Sequence, residues 1–203
     1  MFYNTDKPHG LPHDPFKSCV TPRPIAWVST MGADGQCNLA PYSFFNALSS
    51  DPPTVIIGFN GYHEHGGDKD TLRNIKETGE FVVNIVPLEL KDAMNTSTTN
   101  YPHDVNEIVE AKLTTEPSEL VKPPRIAEAP IHLECTLHEL IKLPCTLENS
   151  SNTAVLGLVA GVHIRDDILN EGLIDLSRVK PLARLGYMQY TAVDEIFSMR
   201  RPG

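Results

Sequence analysis

The apolar runs of this chain are short, and prolines stand at their ends. Pro24 precedes the run 25–28, Pro41 closes the one before it, and Pro52-Pro53 precede 54–59. With 17 prolines in 203 residues, long uninterrupted helices have little room. At the first residue of a strand, or on a sheet edge, proline removes no ladder hydrogen bond. The pattern predicts many short strands joined by turns.

In chain order, residues 1–18 show no periodicity and read as an irregular arm, either wrapped on a neighbour or frayed. Residues 25–30 form the first strand. The Gly- and Asp-containing turn 31–35 makes a hairpin to 37–40. Pro41 then marks an edge or a bend. Residues 43–50 lack alternation and are expected to be a crossing loop with one short helical turn. The continuous apolar run 54–59 predicts a strand buried on both faces, and 81–86 another. Between them, Leu72 and Ile75 set a helix over 70–77, ended by Gly79. A helix is expected over 88–96 and a helical turn at 107–111. Alternation over 131–143 predicts a half-buried antiparallel strand. Residues 153–164 are its long companion, bent at Gly157 and Gly161. A short helix at 176–179 and a last strand or turn at 184–191 complete the chain. The sum is a mainly β chain, an antiparallel barrel with short helices in the connections, since closure removes exposed edges. One domain over 1–203 accommodates it.

A net charge of -9 argues against nucleic acid or an anionic membrane as partner. No apolar run approaches the roughly 18 residues a membrane helix needs. The four cysteines form no Cys-x-x-Cys pair, and the first 16 residues do not resemble a signal peptide. The expectation is a soluble, cytoplasmic protein with reduced, inert thiols.

Familiar catalytic signatures are missing: no Gly-x-Ser-x-Gly elbow, no Walker loop, no Gly-x-Gly-x-x-Gly opening a helix. His63-Glu64-His65 invites a metal reading, but its loop offers no further ligand nearby, and no metal is expected. What remains is a set of short polar groups: Ser29, Thr30, Asn38, Ser43, Asn46, Ser49, Ser50, Lys69, Asp70 and Thr71. Ser, Thr and Asn can satisfy phosphate oxygens and ring amides, and Lys69 adds a point charge. The start of the 70–77 helix offers free N–H groups to an anion. By residue type alone the ordinary reading is stronger: Asp70 or Thr71 caps a helix and the serines form loops.

The ordered segments change that balance. They are Pro22-Arg23-Pro24-Ile25-Ala26-Trp27-Val28-Ser29-Thr30, Asn38-Leu39-Ala40-Pro41-Tyr42-Ser43-Phe44-Phe45-Asn46 with Asp51-Pro52-Pro53, Lys69-Asp70-Thr71 with Asn74-Ile75, and Gly79-Glu80-Phe81-Val82-Val83-Asn84. In order and spacing they resemble the flavin reductase-like family. The strand 157–164 with Arg165-Asp166-Asp167, and Arg184-Leu185-Gly186 with Tyr190, extend the resemblance over most of the chain. The resemblance implies an FMN-binding split β-barrel of antiparallel Greek-key type, with FMN favoured over FAD. It implies that Thr30 and the loop of Ser43, Phe44, Phe45 and Asn46 line the flavin ring. Ser49, Lys69, Asp70 and Thr71 would hold the ribityl phosphate end, and Arg184 would reach the flavin or its phosphate from the same or a neighbouring subunit. His163 stands where relatives place a nicotinamide contact, though a core or surface histidine is as good a reading. No side chain is expected to be catalytic, because flavin N5 carries the chemistry. NAD(P)H as co-substrate, a small-molecule acceptor and a homodimer with flavin near its interface complete the expectation. The alternative is an FMN-binding electron carrier or flavin store with no NAD(P)H activity of its own.

Overall fold

The computed structural model describes residues 1–202. Seven strands form one antiparallel sheet: β1 (Ala26–Met31), β2 (Cys37–Tyr42), β3 (Phe45–Ser50), β4 (Pro53–Asn60), β5 (Glu80–Ile85), β6 (Ile131–Leu143) and β7 (Asn152–Ile164). Their order across the sheet is β2-β1-β5-β6-β7-β4-β3. The first and last strands in that order are consecutive in the chain, separated by Ser43 and Phe44 alone. So short a corner brings the end of β2 to the start of β3, and the sheet curls into the expected split barrel with short helices between strands. The corner is pinned by Gly58 N–H donating to the Phe44 carbonyl at 2.7 Å.

Residues 25–28, leading into and along β1, alternate between two apolar clusters. Ala26 and Val28 point into a barrel interior with Val55, Ile57, Phe59, Phe81, Val83, Cys135 and Val155. Ile25 and Trp27 point outward into a second cluster with Leu39, Val86, Met94, Ile108 and Ile126. The second cluster lies under a 3-10 turn at Leu88–Leu90 and the helices Lys91–Thr96 and Glu107–Glu110. Both faces of the first half of β1 are thus covered, which is why the run 25–28 is continuously apolar. Trp27 keeps its polar handle satisfied: Nε1 donates to Ser97 Oγ at 2.8 Å. The helix Asp70–Thr78 ends at Gly79, left-handed at φ 72°, and packs Leu72 and Ile75 against the open end of the barrel interior. Burial pushes the Cys135 thiol up to about 12, consistent with a structural cysteine.

Three expectations need correction. Residues 43–50 are not a crossing loop: 45–50 form β3. Its side chains are mostly exposed, so no alternation marks it, and its backbone pairing to β4 is broken by an irregularity between Ala47 and Ser49. The run 54–59 is not buried on both faces. Val55, Ile57 and Phe59 face the core, while Thr54, Ile56 and Gly58 are only half covered. The stretch 88–96 is a 3-10 turn followed by a short helix, not one helix. The end of the N-terminal arm is anchored: a helical turn Phe16–Cys19 leads to Val20, and the buried Arg23 guanidinium donates to the carbonyls of Lys17, Val20 and Leu185.

Gly157 lets β7 pass over the Phe81 ring. A Cβ there would stand 2.4 Å from Phe81 Cζ, and Phe81 is fully buried. Gly157→Ala should therefore cost about 1–3 kcal/mol by overpacking. Adding Phe81→Leu should recover part of the loss. Urea midpoints of the two variants and the double variant measure this; an unchanged midpoint for Gly157→Ala would refute the close approach.

Candidate functional site

Three cations converge at the Ser43–Phe44 corner, and a fourth, on the adjoining polar cavity, is near enough to Lys17 to feel its charge. Lys17 and Arg23 line a cavity of about 520 Å³ together with Pro12, His13, Asp14, Ser43, Phe44, Arg184 and Tyr187. The Arg23 guanidinium lies 5.7 Å from the centre of the Phe44 ring, and its Nε donates to Ser43 Oγ at 3.5 Å. Arg184 donates to Tyr190 Oη and the Tyr187 carbonyl, with its guanidinium 4.3 Å from the Tyr190 ring. Burial, and then the charge of Arg184, lowers the pKa of Arg23. Lys69 is the fourth cation: burial, and then the charge of Lys17, lowers its pKa. Among the described residues, none of the four forms an ion pair with a carboxylate.

Lys69, Asp70 and Thr71 line a second, polar cavity of about 130 Å³ with Asn38, Pro41, Tyr42, His63, Thr98 and Glu107. Lys69 immediately precedes the helix Asp70–Thr78, and no side chain caps the helix start. Thr71 is buried, and Asn38 contacts its Oγ1 at 2.7 Å. Turned so that its nitrogen meets Glu107 Oε1 at 3.2 Å, the Asn38 amide links Thr71 to that carboxylate. Glu107 Oε2 accepts the Leu39 N–H at 3.1 Å, and burial raises the Glu107 pKa.

A small cavity joins these spaces. Its lining shares Pro41 and Thr98 with the polar cavity, Ser43 and Arg184 with the cationic one, and Met94 and Tyr190 with a third. That third cavity, the largest of these at about 560 Å³, is lined by Leu88, Met94, Leu182, Tyr190 and Ala192, with Lys91, Asp92, Asn95, Lys180, Thr191 and Asp194 also on its wall. The arrangement is a branched groove with a cationic arm, a polar arm at a helix start and a predominantly apolar arm. It can take a molecule with an anionic end and a flat apolar end.

The sequence candidates divide accordingly. Ser43, Phe44 and Arg184 come together at the corner. Lys69, Asp70 and Thr71 share the polar arm. Thr30 is fully buried, and its Oγ1 accepts from Asn74 Nδ2 at 3.1 Å. Phe45 is half-buried and packs on the barrel interior. Asn46 and Ser49 lie exposed on the edge strand β3, bonded locally to the Ala47 N–H and to Asp51. His163 lines a separate cavity with His132, Arg125 and Arg165, and its Nε2 lies 2.5 Å from Glu134 Oε1. Lys17, Arg23 and Tyr187 were not among the sequence candidates. Arg23 stands inside the Pro22-Arg23-Pro24 segment, and a lone arginine between prolines was the available signal.

Comparison with known proteins agrees with the fold and with the ordered segments. Residues 18–183 match the family described as flavin reductase like domain. An uncharacterised protein of Halalkalibacterium halodurans is 38% identical over 183 residues, covering 90% of this chain and 87% of the relative. The crystal structure of nitrilotriacetate monooxygenase component B from Bacillus cereus superposes with a TM-score of 0.88 at 32% identity, covering 98% of both chains. That of the Pseudomonas fluorescens 2-nitrobenzoate 2-nitroreductase gives a TM-score of 0.79 at 30% identity, covering 92% of this chain and 88% of that one. With the match spanning the barrel and the Ser43–Phe44 corner, the chain belongs to the flavin reductase-like family.

Proposed function

We propose that this protein binds FMN in the branched groove and passes reducing equivalents from NAD(P)H to a small-molecule acceptor. One observation carries the reading: four cations without carboxylate partners gather in a chain of net charge -9. Cations brought together and partly desolvated repel one another, so the arrangement fits a site that receives an anion. A phosphate monoester suits it, with Lys69 and the free N–H groups at the helix start as one set of donors and Arg23 and Arg184 as the other. The apolar arm is roomy enough for a flat ring system. Bound flavin would supply hydride acceptance and electron transfer. The chain's own groups bind, orient and restrict water, which agrees with the lack of a nucleophile beside a base.

The reading includes a homodimer. Strand β3 leaves a sheet edge exposed, with Leu48 57% accessible. An uncovered edge of this kind is usually paired or covered, and a second copy there would bring Asn46 and Ser49 of β3 beside the flavin. The relative from Bacillus cereus is named as one component of a monooxygenase and the one from Pseudomonas fluorescens as a nitroreductase. Both names support a small-molecule or partner-enzyme acceptor here.

The test is direct. Purified protein should be yellow or should quench added FMN stoichiometrically, and NADH or NADPH should bleach the bound flavin without oxygen. Colourless protein that leaves FMN fluorescence unchanged would overturn flavin binding. Binding without bleaching by either nicotinamide would leave a flavin carrier or store.

A further inference from the structure

His63, Asp70 and His103 come from three separate segments. They belong to the loop after β4, the first position of the helix Asp70–Thr78, and the loop before the helix Glu107–Glu110. Each offers one ligand atom, and the three atoms lie within 4.8 Å of one another. This is the one such group of His, Cys, Asp or Glu side chains among the described residues. Flavin binding as proposed above leaves its two histidines unused.

The geometry is that of ligands around a shared point. His63 Nε2 and Asp70 Oδ2 are 3.6 Å apart, with their side chains 9% and 11% exposed. That is too long for a hydrogen bond. It is close to the roughly 3.3 Å that separates two ligands on a tetrahedral ion with bonds of about 2.0–2.1 Å. The other carboxylate oxygen, Oδ1, is held by Arg73 at 2.5 Å. Ligating carboxylates are commonly fixed in this way by an outer donor. Asn100 Nδ2 donates to Glu64 Oε2 at 2.8 Å, which ties the loop of His63 to the loop of His103 independently of the cluster. The His65 ring centre lies 5.3 Å from that of His63, on a loop that continues through Gly66 and Gly67.

We propose that His63, Asp70 and His103 form a binding site for a divalent transition-metal ion of the zinc class, with His65 or water as fourth ligand. Imidazole nitrogen with one carboxylate oxygen suits Zn²⁺ and its neighbours, whereas Mg²⁺ and Ca²⁺ prefer an all-oxygen set. Three present contacts give way when the ion enters, one of them Arg73 Nη1 against His103 Nδ1 at 3.2 Å. His63 Nδ1 now accepts the His65 N–H at 3.1 Å; ligation through Nε2 moves the ring proton to Nδ1, and that amide turns aside. His103 Nδ1 now lies 2.6 Å from Asp70 Oδ1; if that nitrogen ligates, the ring proton sits on Nε2 and the contact with Oδ1 is given up. His63 and Asp70 also line the polar arm of the groove, so the ion would add positive charge beside Lys69.

Zinc titrated calorimetrically into untagged, chelator-stripped full-length protein tests this, with and without FMN. The expected result is one Zn²⁺ per chain, and a Co²⁺ spectrum of nitrogen and oxygen ligation without an intense thiolate band. His103→Ala, at a half-exposed loop position, should weaken zinc on the order of 100-fold. It should leave the metal-free melting temperature unchanged and FMN affinity within about twofold. His63→Gln should lose zinc as well; should it not fold, His103→Ala alone decides. No stoichiometric zinc uptake, or uptake unchanged in His103→Ala, overturns the proposal. Protein that takes zinc but no flavin overturns only the flavin reading, and protein that takes flavin but no zinc overturns only this one.

Discussion

Lys69→Ala should weaken FMN binding by about 10- to 150-fold and leave riboflavin nearly unaffected. Hydrogen bonds to charged groups contribute about 1.5–3 kcal/mol, and each 1.4 kcal/mol is tenfold in affinity. Lys69 should reach the upper part of that range, because its ammonium is partly desolvated beside Lys17. The same burial gives the effect a pH signature. The Lys69 pKa is lowered, first by burial and then by Lys17. The cation, and with it the phosphate contact, is complete below that lowered value and is lost as pH rises through it. FMN affinity of the wild type should therefore fall on the alkaline side earlier than an exposed lysine would allow, and the Ala variant should lack that fall. Flavin fluorescence titrations with FMN and riboflavin in parallel measure both. Equal losses for the two ligands would sink the assignment of Lys69 to phosphate.

The second large effect is on stability. Glu134→Ala should cost about 3–5 kcal/mol, in the range for breaking a buried charged network from one side. The Glu134 side chain is fully buried in β6. Its oxygens accept the backbone N–H groups of Glu119 at 2.8 Å and Leu120 at 2.7 Å, and Oε1 also meets His163. Removing the carboxylate takes the acceptor from two backbone donors of the partly exposed 119–120 loop and from His163. Burial opposes ionisation of Glu134. The Glu119 N–H, His163 and the Leu120 N–H outweigh it, and the folded pKa is lowered. Its contribution is thus fully present above the ordinary glutamate range and is lost as pH falls through the lowered folded value. Denaturant unfolding of wild type and variant from neutral to acid pH should show the gap closing in that window. His163→Ala should cost less, about 1 kcal/mol, since that side chain is one-quarter exposed. A Glu134→Ala loss under about 1 kcal/mol would mean the loop at 119–120 does not depend on the carboxylate.

Much of the barrel was legible because its strands announce a face. β6 alternates along the half that packs on the core, and the run 25–28 is apolar throughout because it separates two clusters. β3 was illegible for the opposite reason. Its side chains face solvent, and only backbone pairing to β4 makes it a strand. The polar arm was visible at Lys69-Asp70-Thr71, since a helix start declares itself locally. The cationic arm was not, because Lys17 and Arg23 meet Arg184 only after the chain has closed a three-stranded sheet of Arg23–Pro24, Leu182–Arg184 and Tyr190–Ala192. His103 was hidden in the same way. The histidines at 63 and 65 lack a nearby ligand in sequence, and the fold supplies one from another loop.

The Ser43–Phe44 corner has a consequence for how this protein can change. It is the seam at which the rolled sheet is fastened, and the same two residues form a wall of the cationic cavity. A fluctuation that unfastens the seam must also open the cavity, and a molecule seated there acts as a rivet across it. Resistance to heat and retention of ligand are then one property measured in two ways. If the corner binds an anion as proposed, a substitution there that loosens recognition should also loosen the roll.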